Sequence, residues 1–416
     1  MTRHTNYTLD VPKTIPFSLN SSEFLKNPYP LYDKLRSANP VSKITLLKYS
    51  GWYITGYDEA IAILKDTRFK NRIPLPQASK KYNDLKKIQN DMMVFKNPPD
   101  HKRLRKLVGN VFSTQVVEQY RPYIEETVIE LIDRLQDKKS IDIVSDLAFP
   151  LTSLVIAKIV GVPEEDRNQF REWTVSLIHT IDIKRDRNIL VNGNDTALKV
   201  LDYFKELIKK RKQNPKDDLI SMLIKEEEQG EKLTDEELLA TCILLIIAGH
   251  ETTVNLISNS MLSLLNHPDQ LKKLKETPPL IKTAIEEFLR YESPTQMTAR
   301  VASEDIEINN KTIREGEQVY IFIGAVNRDP KKFTNPNQLD ISRNPNPHLA
   351  FGYGSHFCLG STLARVEAQI AINVFLQRMT NIQLTVSTPK WRVLTGFRSL
   401  QELRITATMM NEMDEN

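Results

Sequence analysis

Across 416 residues, hydrophobic side chains make up 40% and charged ones 26%, the balance of a globular protein with a large core, unlike disordered or membrane-embedded chains. A net charge of +4 is too small to argue for nucleic acid as a partner, so any basic patch must be local. Two cysteines, Cys242 and Cys358, exclude a disulfide framework and a four-cysteine zinc site.

The opening stretch MTRHTNYTLDVPKTIPF lacks the apolar core of a secretory signal, and the longest apolar run, 240–249, is about half a bilayer span. The expectation is a cytoplasmic protein without membrane insertion. No repeat with a period of about 20–50 residues and no low-complexity linker is found, which favours one continuous domain over 1–416.

In chain order, 51–69 reads as a short strand, a glycine-containing turn and an amphipathic helix. At 101–105, HKRLR puts His101 and Arg105 on one helix face; such a face either meets solvent or binds anions. Helical patterns follow at 118–136, 149–160, 199–213, 234–266, 280–291 and 361–378. The longest opens with Thr234 and Glu237 at capping-box spacing and stops before Pro268. At about 1.5 Å per residue it is roughly 48 Å long, and apolar residues on nearly all faces of 238–248 run it through the core. Alternation of Ile306/Ile308 and Val319/Ile321/Ile323 reads as a hairpin over 305–324, so that a small sheet joins distant segments. The fold expected is mainly α with a small β-rich lobe, its strands mainly near 40–60 and 300–325 and its helices mainly at 100–291 and 359–380.

Two short stretches depart from what stability alone prefers. AGHETT, 248–253, places a glycine, a carboxylate and two threonines in the buried helix. Either Glu251 faces a polar neighbour and the threonines bond back to carbonyls one turn earlier, or the small Ala248 and Gly249 open a groove for a flat ligand that meets Glu251 and Thr252. FGYGSHFCLG, 351–360, gathers Gly352, Gly354 and Gly360 around Cys358. A lone cysteine can be a small buried hydrophobe, the reading taken for Cys242. Around Cys358 the glycines permit positive φ and close backbone approach, and amides of such a loop, with a helix starting near Leu359, would stabilise a thiolate.

FGYGSHFCLGSTLAR resembles the haem-binding loop of the cytochrome P450 monooxygenases, with Phe351, Gly354, His356, Cys358, Gly360, Leu363, Ala364 and Arg365 at the motif positions. AGHETT is similar to that family's oxygen-activating segment, and EEFLR with DISR supplies Glu287, Arg290 and Arg343, which the resemblance makes an ion-pair network holding the cysteine loop. It further implies the cytochrome P450 fold, with haem b between the long central helix and the cysteine loop and with Cys358 as the axial thiolate on iron. Ala248, Gly249, Phe351, Gly352, His356 and Gly360 would lie around the haem, and His101, Arg105, Arg300 and His348 at its propionates. Thiolate ligation favours O–O cleavage; Thr252 would hydrogen-bond the oxygen being activated and Glu251 would relay protons to it. With no dinucleotide loop or flavin-domain composition in the chain, electrons are expected from a ferredoxin or flavodoxin with its reductase, docking near Lys102, Arg103 and Lys106.

Specificity is expected to lie in 68–95, 168–195, the start of the central helix, 294–299 and 394–397. Within the family, GWYITGY, 241–260 and 290–306 resemble the members that serve biotin synthesis. These cleave a carbon–carbon bond within a long fatty acyl chain on acyl carrier protein and release the pimeloyl unit. Stretches 204–216 and 183–187 are basic candidates for docking that acidic carrier, and are otherwise ordinary solvated surface. A hydroxylase of free fatty acids, terpenoids, steroids or polyketides is the alternative. A haem sensor without turnover and a helical interaction protein with a structural Cys358 are the remaining classes.

Overall fold

The structure, a computed structural model, describes residues 21–46, 49–71, 80–182, 186–227 and 233–410. Helix dominates: Phe149–Val160 and Ser361–Arg378 fall where periodicity puts them, and Ile281–Tyr291 begins one residue later. The stretch 118–136 instead divides into Thr114–Gln119 and Arg121–Asp133, because Pro122 cannot donate into a preceding turn and restarts the helix near its first position. The helix expected from 199 starts at Arg187, where Asp186 Oδ1 accepts the amide of Ile189 at 2.8 Å. Its added turns carry Gly193, where a Cβ would fall 2.1 Å from Thr180 Cγ2, so glycine lets two helices pack closely despite its poor helix propensity.

The central helix, Asp235–Leu265, has the expected capping box: Thr234 Oγ1 accepts from the Glu237 amide at 3.1 Å and Glu237 Oε2 from the Thr234 amide at 3.0 Å. It and the segment Ile143–Val160 are long and apolar enough to cross a membrane, yet 78% and 72% of their apolar windows are buried inside the fold. They are core helices, and Cys242 is a buried core side chain on the first of them.

The β-rich lobe is a five-stranded sheet in the order Val41–Leu46, Tyr49–Ile54, Gln318–Phe322, Met297–Ala302, Phe69–Lys70. Its only parallel pair sets Trp52 opposite Val319 and Ile54 opposite Ile321, so sequence-distant strands do meet. The hairpin at 305–324 is shorter than alternation suggests. Ile306–Ile308 pairs with Lys311–Ile313 across Asn309 and Asn310, whose φ values of 50° and 58° close a two-residue turn. Gln318–Phe322 is thereby released to the larger sheet. A three-stranded sheet of Ile141–Asp142, Arg404–Met409 and Met379–Leu384 lies outside the expected strand regions.

Candidate active site

The cysteine loop is held by its own backbone. The Cys358 amide donates to Phe351 O at 2.8 Å, and Gly352 and Gly354 both have φ of 73°, a region that favours glycine. At Gly354 a Cβ would also press on Leu64 O at 2.9 Å. Gly360 differs from expectation: its φ is −82° and nothing lies within 4 Å of where a Cβ would stand. Its contribution is the amide, which hydrogen-bonds Cys358 just before the helix Ser361–Arg378 begins. Cys358 is exposed along one side and crowded elsewhere; that crowding pushes its thiol up, while the Gly360 amide and the charges of Arg105 and Arg365 pull it down.

A cationic cluster surrounds this loop. The rings of His101 and His356 lie 3.8 Å apart, tilted by 34°. Asn71 Nδ2 donates to Val94 O at 2.9 Å and contacts His356 Nδ1 at 2.8 Å; Nδ1 therefore accepts and the ring proton sits on Nε2. Burial and the nearby His101, Arg300 and Arg105 lower the His356 pKa to about 3. Burial also lowers His101, with Arg105 adding to it, and lowers Arg105 against the opposing pull of Cys358. Arg300 is brought down to about 10 by burial and, among the described residues, donates to Thr298 Oγ1 and Ala299 O, at 3.2 and 2.8 Å. Among the described residues neither Arg105 nor Arg300 has a carboxylate partner. A guanidinium without an acid is costly when buried, as Arg300 is, or half-buried, as Arg105 is, unless an anion meets it.

His348 is bound to other partners. Its Nε2 is 3.1 Å from Glu286 Oε2 and its Nδ1 accepts the Ala350 amide at 3.2 Å, so both ring nitrogens are engaged. Glu286 also takes two bonds from Arg365, at 2.6 and 2.9 Å, and Arg365 covers the Phe351 ring at 4.4 Å. Burial would raise the Glu286 carboxyl, but His348 and Arg365 bring it from 4.5 to about 2. A depressed carboxyl contributes stability above its unfolded value that is lost as pH falls through its folded one. Glu286→Gln should therefore lower stability at neutral pH by up to about 3 kcal/mol. The difference from wild type should vanish as pH falls from about 4.5 to about 2 in chemical denaturation; a gap that persists at the acid end would remove charge as its cause.

On the central helix, Ala248 is exposed in the midst of buried neighbours, with half-buried Leu244 and Thr252 one turn on either side. Spacing by four puts them on one stripe. Gly249 is not part of a groove: a Cβ there would meet Ile156 Cδ1 at 2.9 Å, so its smallness serves the packing of helix Phe149–Val160. Thr252 Oγ1 donates to Ala248 O at 2.8 Å. Glu251, 1% exposed, accepts from Arg392 Nη1 and Ser399 Oγ, both at 2.9 Å. Sequence reading named neither partner; the one available signal was a basic residue beside 394–397.

Beyond Leu244 lies a small apolar pocket of about 40 Å³ walled by Leu85, Ile88, Met92, Leu177, Ile181 and Ile247. Stretches 68–95 and 168–195 do contribute to it, although 72–79 lie outside the described residues. Residues 394–397 border a separate groove beside Trp391 and Arg398. They are tied to the far end of helix Arg167–Ile181, where Asp182 Oδ2 accepts the amides of Thr395 and Gly396 at 3.0 and 2.9 Å.

No group of three His, Cys, Asp or Glu side chains among the described residues could hold a metal ion. An iron bound by Cys358 must then bring its remaining ligands with it. A single thiol in an amide-rich loop, acid-free Arg105 and Arg300, and the small stripe at Ala248 fit haem b, a flat macrocycle with two carboxylates.

The comparisons with known proteins agree with this chemistry. Over 393 residues the chain is 61% identical to the biotin biosynthesis cytochrome P450 of Bacillus subtilis (strain 168), covering 94% of this chain and 99% of that protein. It is 39% identical over 402 residues to the polyketide biosynthesis cytochrome P450 PksS of the same strain, covering 94% and 98%. The crystal structure of P450BioI in complex with hexadec-9Z-enoic acid ligated acyl carrier protein superposes with a TM-score of 0.90 at 61% identity, covering 93% of this chain and all of that one. The cytochrome P450 profile itself matches residues 10–390, Cys358 and its loop included, and on that match the chain belongs to the cytochrome P450 family.

Proposed function

We propose that this monooxygenase cleaves a carbon–carbon bond within a long fatty acyl chain carried on acyl carrier protein, giving a pimeloyl-type product for biotin synthesis in the cytoplasm. The observation that carries the reading is 61% identity over 94% of the chain to a biotin biosynthesis cytochrome P450. Two successive in-chain hydroxylations give a vicinal diol, and a further oxidation splits it.

Haem b, held through Cys358, supplies activation of dioxygen when bound, with electrons from a ferredoxin or flavodoxin and its reductase. The chain's own residues do the rest within one cytochrome P450 domain. Arg105 and Arg300, with His101 beside them, neutralise the propionates; His356, stacked on His101 and fixed by Asn71, sets the loop against that rim. His348 acts through Glu286, which clamps Arg365 over Phe351. Phe351, Gly352 and the Gly360 amide shape the thiolate side, and Ala248 leaves room on the other. Thr252 and Glu251 hold and move protons.

For the redox partner, Lys102 and Lys106 are exposed, whereas Arg103 pairs with Glu237. For the carrier, Lys209 and Lys210 are exposed on helix Arg187–Gln213, but Arg211 is buried against Asp218 and Gly161 O and belongs to the fold. Residues 183–185 lie outside the described residues.

Titrating the ferric holoprotein with a long-chain acid, free and on acyl carrier protein, and following the Soret band gives the test. A much tighter shift with the carrier, weakened by reversing Lys209 and Lys210, is expected. Equal response to the free acid overturns the carrier requirement and points to a free fatty-acid hydroxylase.

A further inference from the structure

Helix Arg167–Ile181 ends on an acid. Asp182 caps its C-terminus and is 2% exposed, a place where the helix dipole favours a cation and burial disfavours a charge. Its carboxylate serves a distant loop instead: Oδ2 accepts the amides of Thr395 and Gly396, 213 and 214 residues on, at 3.0 and 2.9 Å. These amides form the tip of a narrow antiparallel ribbon. The Gln401 amide donates to Lys390 O and the Arg392 amide to Ser399 O, both at 2.8 Å, and Trp391 bridges Leu400. The base of the ribbon carries Arg392 and Ser399, the two side chains that hold Glu251.

Each clamping residue is three positions from a tip amide, Arg392 from Thr395 and Ser399 from Gly396, at most about 10 Å of chain. The connection to Arg392 is tighter still, since the Leu394 amide donates to Arg392 O at 2.9 Å. The limb 396–398 is also carried by 294–296: Gly396 O accepts the Gln296 amide and the Arg398 amide donates to Pro294 O, both at 2.8 Å. Thr395, on the limb that leads to Arg392, is met by Asp182. We propose that Asp182 is a positioning residue for the proton relay: by pinning the tip of the ribbon to the end of helix Arg167–Ile181, it keeps Arg392 and Ser399 on Glu251. The inference rests on the relay role given to Glu251 above. The same helix walls the apolar pocket with Leu177 and Ile181, so one helix both borders that pocket and aligns the acid. No proton passes through Asp182 in this role.

The test is a double-variant cycle on the holoenzyme. Asp182→Ala removes the acceptor, Asp182→Asn keeps an oxygen in its place, and each is made in wild type and in Glu251→Gln. Turnover uses a saturated long-chain acid, free and on acyl carrier protein. Asp182→Ala should lower product formation about tenfold, the scale of a small misplacement at the reacting centre, and enlarge the solvent isotope effect, while affinity for the acid by Soret shift changes less than about twofold. Asp182→Asn should restore most of the loss. In Glu251→Gln, Asp182→Ala should cost no further rate, because the group it aligns is already gone. Amide exchange over 391–400 should quicken about tenfold in Asp182→Ala, a readout independent of turnover. Unchanged exchange, an unchanged rate, a loss in Asp182→Asn as large as in Asp182→Ala, or a rate loss matched by lost affinity overturns the proposal. Equal rate losses in both backgrounds, beside a slow Glu251→Gln, sink the role of Asp182 alone, whereas a wild-type rate in Glu251→Gln sinks the relay and this proposal with it.

Discussion

Replacing Arg290 by alanine is expected to lower stability by about 3–5 kcal/mol, the cost of breaking a buried ion pair, against the ~5–15 kcal/mol of a typical domain. Arg290 and Glu287 are both 0% exposed and meet through two bonds, at 2.7 and 2.8 Å. The same guanidinium donates to the carbonyls of Asn327, Pro336 and Gln338. Truncation leaves Glu287 with Arg343, Asn346 and the Asp340 amide, and orphans carbonyls in a segment that reaches the cysteine loop. Asn327 carries that link, since its Oδ1 accepts the Leu349 amide at 2.7 Å. Lysine should not rescue, because the contacts need a planar fork of donors. Urea unfolding and haem retention measure the effect. An Arg290→Ala holoprotein within about 1 kcal/mol of wild type would show that the network is not what holds the loop.

The pair entered through the family resemblance, and the contact itself is local: three residues of helical spacing place Glu287 and Arg290 together, whatever surrounds them. Glu286 was not legible, although it adjoins Glu287: one residue is about 100° of helix rotation, which turns its carboxylate to His348 and Arg365, 62 and 79 residues away. The same rotation separates Ala248, on the open stripe, from Gly249, against Ile156. Periodicity locates helices and capping boxes because those are local. The hairpin partner of Ile306–Ile308 was decided by two asparagines at positive φ, a local turn that overrode the alternation, and the helix from Arg187 by the Asp186 cap and by tertiary packing of Gly193 on Thr180.

Glu251→Gln is expected to slow product formation by about 10²–10⁴-fold, the range for a lost acid–base group, with substrate binding by Soret shift unchanged. Arg392 and Ser399 fix the carboxylate from two sides, and both can still donate to a glutamine oxygen, so the variant keeps its geometry and loses only the ability to cycle a proton. The Arg392 side chain is 20% exposed while that of Glu251 is 2% exposed, so of this pair it is the guanidinium that meets solvent. Thr252 donates to Ala248 O, leaving its oxygen lone pairs free to accept, and its removal acts differently. Thr252→Ala should keep consuming reductant but divert it to hydrogen peroxide, lowering product per electron without a comparable loss of electron flow. The two variants therefore separate delivery from retention: one slows the proton, the other misplaces it. A solvent isotope effect on product formation that is unchanged in Glu251→Gln, at a wild-type rate, would remove Glu251 from the relay. A Thr252→Ala enzyme with wild-type product per electron would do the same for the hydroxyl. Arg392→Leu is the harsher change, since it strands a buried carboxylate. Its rate loss should come with a stability loss that Glu251→Gln lacks, and the double variant Glu251→Gln with Arg392→Leu should regain that stability without regaining rate.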